Sequence, residues 1–518
     1  MLLRGFKTIE NCTINSNSQH GLALYEESST VTNCVFANNG WDGIWLRYNY
    51  PLVLTNSTII GNGEHGIDLV EGGRPTIRNT IISNNQGKEI YFRDSGVMIV
   101  DIDYSLVQGG QEDGVYFEGE NGTLNWGNNN LSNNDVLFND YSNGDYTLSD
   151  YSPAIGTGTA TGAPTTDITG VTNSRPMPAG TNPDMGAYEN VLGTPLEQTM
   201  YHVSTSGSTD GTGFPNSPMS SIQTAIDSSS NGDTVLVAAG TYTENVSLNK
   251  SIVLMSSEGA DSTIIDANNF GTVLTVNPHS TQSYYGNPDI HVDATVDGFT
   301  IQNGYTSGSS TASGGIIIGV SNTVIKNCII KNNNSHQGGG VYAEGGTFYN
   351  CEILNNTAEF EGGGIFMTYR GFSGFEQTII QNCLIANNNC GSGAGLFGPF
   401  NIVNSNIVNN TGNYGFASAG TSSIKNSIFY GNDGDEIGSF TATVTYSLVE
   451  GGYTGTGNID SDPLFTDATN GDYRLSDYSP AIGAGTATGA PNTDINGNTR
   501  PNPSGSSPDM GAYENALG

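Results

Sequence analysis

The chain has 518 residues, 71 of them glycine, and only 13% are charged, so a mainly helical protein is not expected. Its 15 Lys and Arg against 50 Asp and Glu give a net charge of −35, which excludes a nucleic-acid partner because phosphate binding requires clustered basic side chains. No run of 18 apolar residues occurs, so no transmembrane segment is predicted.

Short Asn-rich repeats fill the first part of the chain. Four of them, NCTINSN, NCVFANN, NSTIIGN and NTIISNN, start at Asn11, Asn33, Asn56 and Asn79. A period in the low twenties with short β-type runs predicts a β-solenoid whose strands pair in parallel with their equivalents one coil away. Each leading Asn is predicted at a left-handed corner. One internal column is predicted to contain Ile14, Phe36, Ile59 and Ile81.

The strand that follows each repeat alternates in polarity. Alternation predicts that Leu22, Ile44, Ile67 and Ile90 point inward. The outward side chains then form columns along the solenoid: Ala23, Trp45, Asp68 and Tyr91; Tyr25, Arg47, Val70 and Arg93; and a flanking column of His20, Asp42, His65 and Lys88.

Nearly the same segment occurs twice, at 143–190 and at 470–515. The duplication predicts two tandem solenoids, each ending in the same module. We expect a truncated β-helix at 1–193 with its module at about 133–190, a linker at 194–198, and a complete β-helix at 199–518 with its module at about 460–515. Within the module, DMGAYE is predicted as a final strand over the upper edge, and Arg175 and Arg500 as ion-pair partners of Asp184 and Asp509.

The second unit begins with a different pattern. An amphipathic helix is predicted at Ser220–Ser228, with Ile222, Ala225 and Ile226 on one face, where it caps the first coil. Strands are predicted at Thr234–Ala238 and Tyr242–Leu248. Asn-rich repeats then start at Asn327, Asn350, Asn382, Asn404 and Asn426, with an insertion near Met367–Glu376.

Five cysteines follow the leading Asn of a repeat. We expect them to stack inward as small apolar side chains, with disulfides between coils as the alternative. They are Cys12, Cys34, Cys328, Cys351 and Cys383.

Two signatures resemble a known group. The segment from GSTDGTG to GTYTENV, at 207–246, is similar to the opening of bacterial right-handed parallel β-helix proteins of the pectin-lyase-like fold. The segment SDPLFTDATNGDYRLSDYSPAIGAG, followed by RPNPSGSSPDMGAYE, resembles the terminal region of the choice-of-anchor Q type. The resemblance implies an all-β parallel β-helix and an extracellular or bacterial cell-surface location. It covers binding proteins as well as polysaccharide lyases and hydrolases.

The resemblance directs attention to the outward strand face of the first unit. Enzymes of this fold commonly hold Ca²⁺ on Asp or Glu and use Lys or Arg to abstract a proton next to a uronate carboxyl. Candidate catalytic residues there are Asp42, His65, Asp68, Lys88 and Arg93. The alternatives are an ordinary solvated face or a sugar-stacking strip formed by Trp45, Tyr48 and Tyr91.

In the second unit the outward column is aromatic, with Tyr342, Phe366 and Phe397, and predicts either a carbohydrate contact strip or simple sheet stabilisation. Catalytic charges would have to come from loops that contain His279, Asp289, His291, Asp293, Lys331, His336 and Arg370.

An acidic loop recurs in both units, and its oxygens suit Ca²⁺, although Asp capping of turns is the favoured interpretation. Its carboxylates are Asp135, Asp140 and Asp145 in the first unit and Asp460, Asp462, Asp467 and Asp472 in the second.

The sequence therefore predicts a secreted or surface-displayed protein that binds polysaccharide or mediates adhesion. The alternative is a polysaccharide lyase or glycoside hydrolase, with Ca²⁺ as a possible cofactor. The binding role is favoured because aromatic strips occur in both units, whereas basic residues are scarce.

Overall fold

In the computed structural model the chain divides into two compact units, Met1–Gln198 and Thr199–Gly518. The structure describes all residues except 1, 5–6, 26–27, 49, 94–95, 133–134, 171–172, 277–291, 308–312, 320, 369–377, 419 and 439–440. Each unit is a right-handed parallel β-helix whose coils contribute short strands to three sheets, which confirms the predicted fold class. Among the described helices none is long and apolar enough to cross a bilayer.

In the first unit the three sheets follow one another around each coil. Sheet A contains Leu2–Arg4, Leu22–Tyr25, Ile44–Arg47, Ile67–Val70, Ile90–Phe92 and Val115–Phe117. Sheet B contains Lys7–Glu10, Ser29–Thr32, Pro51–Thr55, Arg74–Arg78, Met98–Asp103 and Gly122–Trp126. Sheet C contains Thr13–Asn15, Val35–Ala37, Thr58–Ile60, Ile81–Ser83 and Leu106–Val107. A helical turn at Gly110–Asp113 precedes the last strand of sheet A.

The second unit repeats this order with sheets B′, C′ and A′. Sheet B′ contains Met200–Ser208, Thr234–Val237, Val253–Ser256, Thr295–Asp297, Val324–Lys326, Thr347–Tyr349, Thr378–Gln381, Phe400–Val403, Ser422–Lys425 and Ala442–Thr445. Sheet C′ contains Gly240–Tyr242, Thr263–Asp266, Thr300–Gln302, Ile329–Lys331, Glu352–Leu354, Leu384–Ala386, Asn406–Val408, Ile428–Tyr430 and Leu448–Val449. Sheet A′ contains Val246–Leu248, Leu274–Val276, Ile316–Ile318, Val341–Ala343, Ile365–Met367, Leu396–Phe397, Tyr414–Ala417 and Asp435–Gly438. Asn334–Gln337 and Thr357–Glu361 form an additional pair.

Asparagine makes the corners between strands. The leading Asn of each repeat has a positive φ, for example 50° at Asn33 and 53° at Asn327, which confirms the predicted left-handed corner. The Asn six positions later forms a second column, buried except for the exposed Asn17, in which the side chain and the backbone N–H of each residue but the last donate to the amide oxygen one coil up. These ladders comprise Asn17, Asn39, Asn62 and Asn85 in the first unit, and Asn333, Asn356, Asn388, Asn410 and Asn432 in the second.

The internal column of sheet C differs from the prediction at one position. Ile14, Phe36 and Ile59 are paired in register, but their next partner is Ile82 and not Ile81. Ile81 points out of the coil and packs against Met185 and other residues of the terminal segment. Both neighbours are isoleucines, so polarity alone did not distinguish the inward side chain from the outward one.

The cysteines point inward as expected, and all six are free thiols. All five in the repeat column donate to the carbonyl two residues earlier, at Sγ to oxygen distances of 3.1–3.3 Å, and are Cys12, Cys34, Cys328, Cys351 and Cys383. Burial raises the pKa of Cys34 to about 11, which disfavours the reactive thiolate form of this side chain.

The helix that opens the second unit spans Ile222–Ser228, and its buried face contains Ile222, Ala225 and Ile226, as predicted. Ser221 caps its N-terminus, and Glu244 accepts hydrogen bonds from the N–H groups of Ile222 and Gln223 at 2.9 and 3.1 Å. The predicted strand Tyr242–Leu248 is wrong as a single element, because the chain turns a corner at 243–245 and enters another sheet.

In their described residues, the two duplicated modules add no strand to a sheet of the solenoid. Each begins with an antiparallel hairpin, Phe138–Asp140 with Asp145–Leu148 and Phe465–Asp467 with Asp472–Leu475, around 3₁₀ turns at Tyr141–Asn143 and Ala468–Asn470. The chain then runs along the outer face of sheet C or C′, and the corner asparagines hold it there. Asn56 donates to the carbonyl of Asp184, and Asn404 to that of Asp509. DMGAYE is therefore a lateral cover and not a final strand.

A buried ion pair stabilises each module. Arg175 Nε lies 3.0 Å from Glu189, and Arg500 Nε lies 2.7 Å from Glu514, with all four side chains fully buried. The predicted partner Asp184 instead accepts backbone N–H groups, at 2.7 and 2.6 Å. Asp509 does the same at 2.8 and 2.6 Å. The assignment was wrong because it chose the carboxylate nearer in sequence, whereas the fold brings the more distant glutamate to the guanidinium.

Candidate functional site

The outer face of sheet A contains the predicted columns. Register places Trp45 next to Asp68, Asp68 next to Tyr91, and Tyr91 next to Tyr116. The inward residues Leu22, Ile44, Ile67 and Ile90 are fully buried, so alternation sends their neighbours outward. We call this outer surface, with its flanking residues, the sheet A face.

A buried carboxylate lies at the middle of the sheet A face. Asp68 is fully buried and accepts three hydrogen bonds of 2.8–3.0 Å from Arg93 Nε and Nη2. Burial raises the pKa of Asp68, with the Arg93 bonds opposing that rise. Arg93 has a raised pKa because it bonds Asp68, and its guanidinium also lies 5.6 Å from the ring centre of Tyr91.

A second bidentate pair lies at the rim of the face. Arg47 donates from Nε and Nη2 to Glu71, both at 3.0 Å, and its guanidinium lies 4.9 Å from the ring centre of Tyr48. The bond lowers the pKa of Glu71. Since each arginine has its own carboxylate, the face offers fixed, planar donors without excess positive charge.

Aromatic rings stack along the same face. His20 stacks on Trp45 at 5.5 Å between ring centres, and His65 stacks on Tyr91 at 4.2 Å. Tyr91 in turn stacks on Tyr116 at 5.3 Å. Trp41 contacts His20 edge-on and is 41% exposed, and Tyr116 is 46% exposed. The outer rings therefore remain accessible.

Each histidine is held by a different kind of neighbour. His65 Nδ1 accepts the backbone N–H of Lys88 at 2.8 Å. His20 Nδ1 lies 2.9 Å from the Oδ2 atom of Asp42, a contact that is close but poorly aligned as a hydrogen bond. The side chain of Asp42 is fully buried, and its Oδ1 atom accepts the N–H of His65 at 2.9 Å.

The two predicted proton-abstracting bases are both engaged. Lys88 Nζ donates to the carbonyl of Asp113 at 2.6 Å, and Arg93 is bidentate to Asp68. A base must offer a free lone pair, so these contacts oppose a role of either residue in proton abstraction.

Sequence reasoning did not select His20, Trp41 or Tyr116 as site residues. For Tyr116 a signal existed, because DGVYFEG at 113–119 repeats the pattern of DGIWLRY at 42–48. Sequence reasoning also missed a polar groove of about 490 Å³ on sheet B. Side chains that line the groove include Thr76, Arg78, Asp101, Asp103 and Asn125.

The predicted aromatic column of the second unit exists, but its rings are largely buried. Tyr342, Phe366 and Phe397 stack at 5.4 Å between successive ring centres. Tyr342 is only 4% exposed and Phe366 only 8%, so these rings present almost no surface to a sugar. The predicted carbohydrate-binding role does not fit these two residues, and stacking within the sheet accounts for the column.

Most of the loop charges predicted for the second unit lie outside the described residues, namely His279, Asp289, His291 and Arg370. His336 is described and lies 3.0 Å from Glu359. Within the described part of the chain, Asp293 does not join it in a group of three or more His, Cys, Asp or Glu side chains that could hold a metal ion.

The acidic loops use their oxygens within their own turns. Asp140 caps the turn at Asn143, and Asp467 caps the equivalent turn at Asn470. The remaining members, Asp135, Asp145, Asp460, Asp462 and Asp472, each accept a backbone N–H. Among the residues that the structure describes, no three acidic, His or Cys groups converge as a metal site. The calcium site stays a prediction.

Comparison with known proteins supports the fold. A family model described as "Right handed beta helix region" matches residues 2–150. No curated protein matches the chain.

Several solved structures are similar at low identity. The pectate lyase Pel9A has a TM-score of 0.36 and 16% identity over 61% of this chain and 96% of its own. The pectin methylesterase PemA from Erwinia chrysanthemi has a TM-score of 0.26 and 12% identity over 49% and 80%. The PL6 family alginate lyase AlyGC has a TM-score of 0.26 and 10% identity over 87% and 85%.

Proposed function

We propose that the protein is a secreted or cell-surface carbohydrate-binding protein and that the sheet A face of the first unit binds a polysaccharide chain. The observation that carries this proposal is the row of partly exposed rings on one strand face, Trp45, Tyr91 and Tyr116, interleaved with fixed polar pairs. Aromatic rings bury the apolar faces of sugars, and bidentate arginines orient hydroxyl groups.

The coil geometry favours an extended ligand. Equivalent side chains on successive coils repeat at the spacing of neighbouring strands, roughly 4.8 Å. Tyr91 and Tyr116, which are paired in register, follow this rule with 5.3 Å between ring centres. A linear glycan along the solenoid axis meets a new ring or polar pair at every coil, whereas a compact ligand meets only one.

The experiment is glycan binding to the full chain by affinity electrophoresis and calorimetry. Replacing Trp45 or Tyr116 by Ala is expected to weaken binding about five- to thirtyfold, since one stacked ring contributes roughly 1–2 kcal/mol. Tyr478→Ala is the matched control, because Tyr478 is 89% exposed and lies in the other unit. Equal binding by all three variants would exclude the sheet A face.

A polysaccharide lyase or hydrolase is the second candidate, because one observation favours it. The buried carboxyl of Asp68 has a raised pKa and lies beside a guanidinium, an arrangement that suits proton transfer. Assay of neutral and acidic polysaccharides, with and without Ca²⁺, for unsaturated products and new reducing ends tests it. Product that forms with the unmodified protein and not with Asp68→Asn would establish an enzyme. If the unmodified protein forms no product, the binding role is left.

A further inference from the structure

The two histidines of the sheet A face differ in which ring nitrogen holds the proton. His65 Nδ1 accepts a well-aligned N–H from Lys88, so that atom has no proton and Nε2 carries it. Gly87 is required here, because a Cβ at this position would lie 2.4 Å from His65 Nδ1. His65 therefore presents a donor at its outer nitrogen.

His20 has the opposite arrangement. Its Nδ1 faces the Oδ2 atom of Asp42 at 2.9 Å, and that oxygen is buried without any other partner among the described residues. Two lone pairs at this distance repel, and a buried carboxylate oxygen without a donor costs about 1–3 kcal/mol or more. A proton on Nδ1 replaces the repulsion by attraction to the Asp42 carboxylate, although the N–H is poorly aligned for a full hydrogen bond. When the ring is neutral, this leaves a lone pair on Nε2.

We propose that His20 and His65 determine ligand specificity with opposite polarity, His20 Nε2 accepting a hydrogen bond and His65 Nε2 donating one, and that the ligand is a neutral, hydroxyl-rich glycan. Asp42 is the positioning residue that sets the His20 tautomer. This inference rests on the proposed binding function of the same face.

The polarity selects hydroxyl groups over carboxylates. A hydroxyl donates and accepts, so it satisfies either histidine, whereas an ionised uronate carboxylate only accepts and leaves His20 Nε2 unpaired. The charges of the face act in the same direction. Arg47 and Arg93 are each neutralised by a bidentate carboxylate, and the charge of Asp42 offsets that of Lys88, so the face has no excess positive charge to attract a uronate.

The tautomers are tested without any ligand. Long-range ¹H–¹⁵N correlation spectra of the full chain, at a pH where free imidazole is neutral, are assigned with His20→Gln and His65→Gln. We expect Nδ1–H at His20 and Nε2–H at His65. Asp42→Asn is expected to shift the His20 proton toward Nε2 and to leave His65 unchanged, while Asp101→Asn on sheet B is the control. The same tautomer at both histidines would overturn the proposal.

Ligand class is tested by calorimetry with neutral gluco-, xylo-, manno- and galacto-oligosaccharides against oligogalacturonate and oligoalginate of equal length. We expect at least tenfold tighter binding of a neutral ligand, and a five- to tenfold loss in His20→Phe, which keeps the ring but not Nε2. Uronates that bind as tightly, or an unchanged His20→Phe, would overturn the inference alone. If no glycan binds, or Trp45→Ala binds normally, the proposed function itself fails.

Discussion

At the scale of single residues, burial determines how much each ion pair contributes to the stability of this acidic chain. Asp68 is fully buried against Arg93, and Arg500 is fully buried against Glu514, whereas Arg474 pairs with Asp472 at the surface. Exposed pairs contribute little because solvent screens them. Removing one member of a buried pair leaves an uncompensated charge in the interior.

The buried pair of the second module gives a prediction at this scale. Arg500→Met is expected to lower the free energy of unfolding by about 3–5 kcal/mol, because Glu514 and the amide oxygen of Asn382 lose their donor. Denaturant unfolding of the full chain measures the change. The control is Arg474→Met, whose side chain is 62% exposed and whose loss is expected to leave the free energy of unfolding nearly unchanged, because solvent screens the pair. Equal effects of the two substitutions would contradict the assignment.

At the scale of elements, the asparagine ladder shows how a repeat ends. Each ladder amide donates to the next coil, so the last one needs an acceptor that the repeat cannot supply. A glutamate four residues later provides it: Glu89 accepts from Asn85, and Glu436 accepts from Asn432. Burial raises the pKa of both glutamates to about 7.

The ladder ends therefore make stability depend on pH. Glu89 has a raised pKa in the folded state, so folding binds a proton, and the free energy of unfolding falls as pH rises from about 4.5 to about 7. Glu89→Gln is expected to flatten this slope, by up to about 1.4 kcal/mol per pH unit inside the window. Denaturant titrations across that range measure it, with the exposed Glu64→Gln as control. An unchanged slope would rule out Glu89 as the titrating group.

At the scale of the whole molecule, the chain is two solenoids that each have an apolar core and a lateral module. The modules bury outward apolar residues of sheets C and C′, such as Ile60 and Ile428. Surface left open by this cover includes the sheet A face, which is where the proposed ligand binds.

The junction between the units gives the third prediction. Val191 is 66% exposed and Leu196 is 49% exposed, so the segment 191–198 is an accessible site for a protease that selects large apolar residues. Brief thermolysin treatment is expected to give two fragments that separate near this segment and keep the circular dichroism of β structure. Mass spectrometry locates the cut. First cleavage inside the described coils of either unit would contradict two independently stable solenoids.

The repeats by themselves determined the solenoid, its corners and, apart from Ile81 in sheet C, its inward columns, because strand period and left-handed Asn are local properties. They also determined which side chains of sheet A face outward, including Trp45, Asp68 and Tyr91. The path of the terminal module and the choice of Glu514 as the partner of Arg500 depended on contacts distant in sequence. Only the tertiary structure decided that the rings of Tyr342 and Phe366 are buried, since burial depends on atoms from neighbouring coils. The same is true of the contacts on which the proposed polarities rest, Asp42 with His20 and Lys88 with His65.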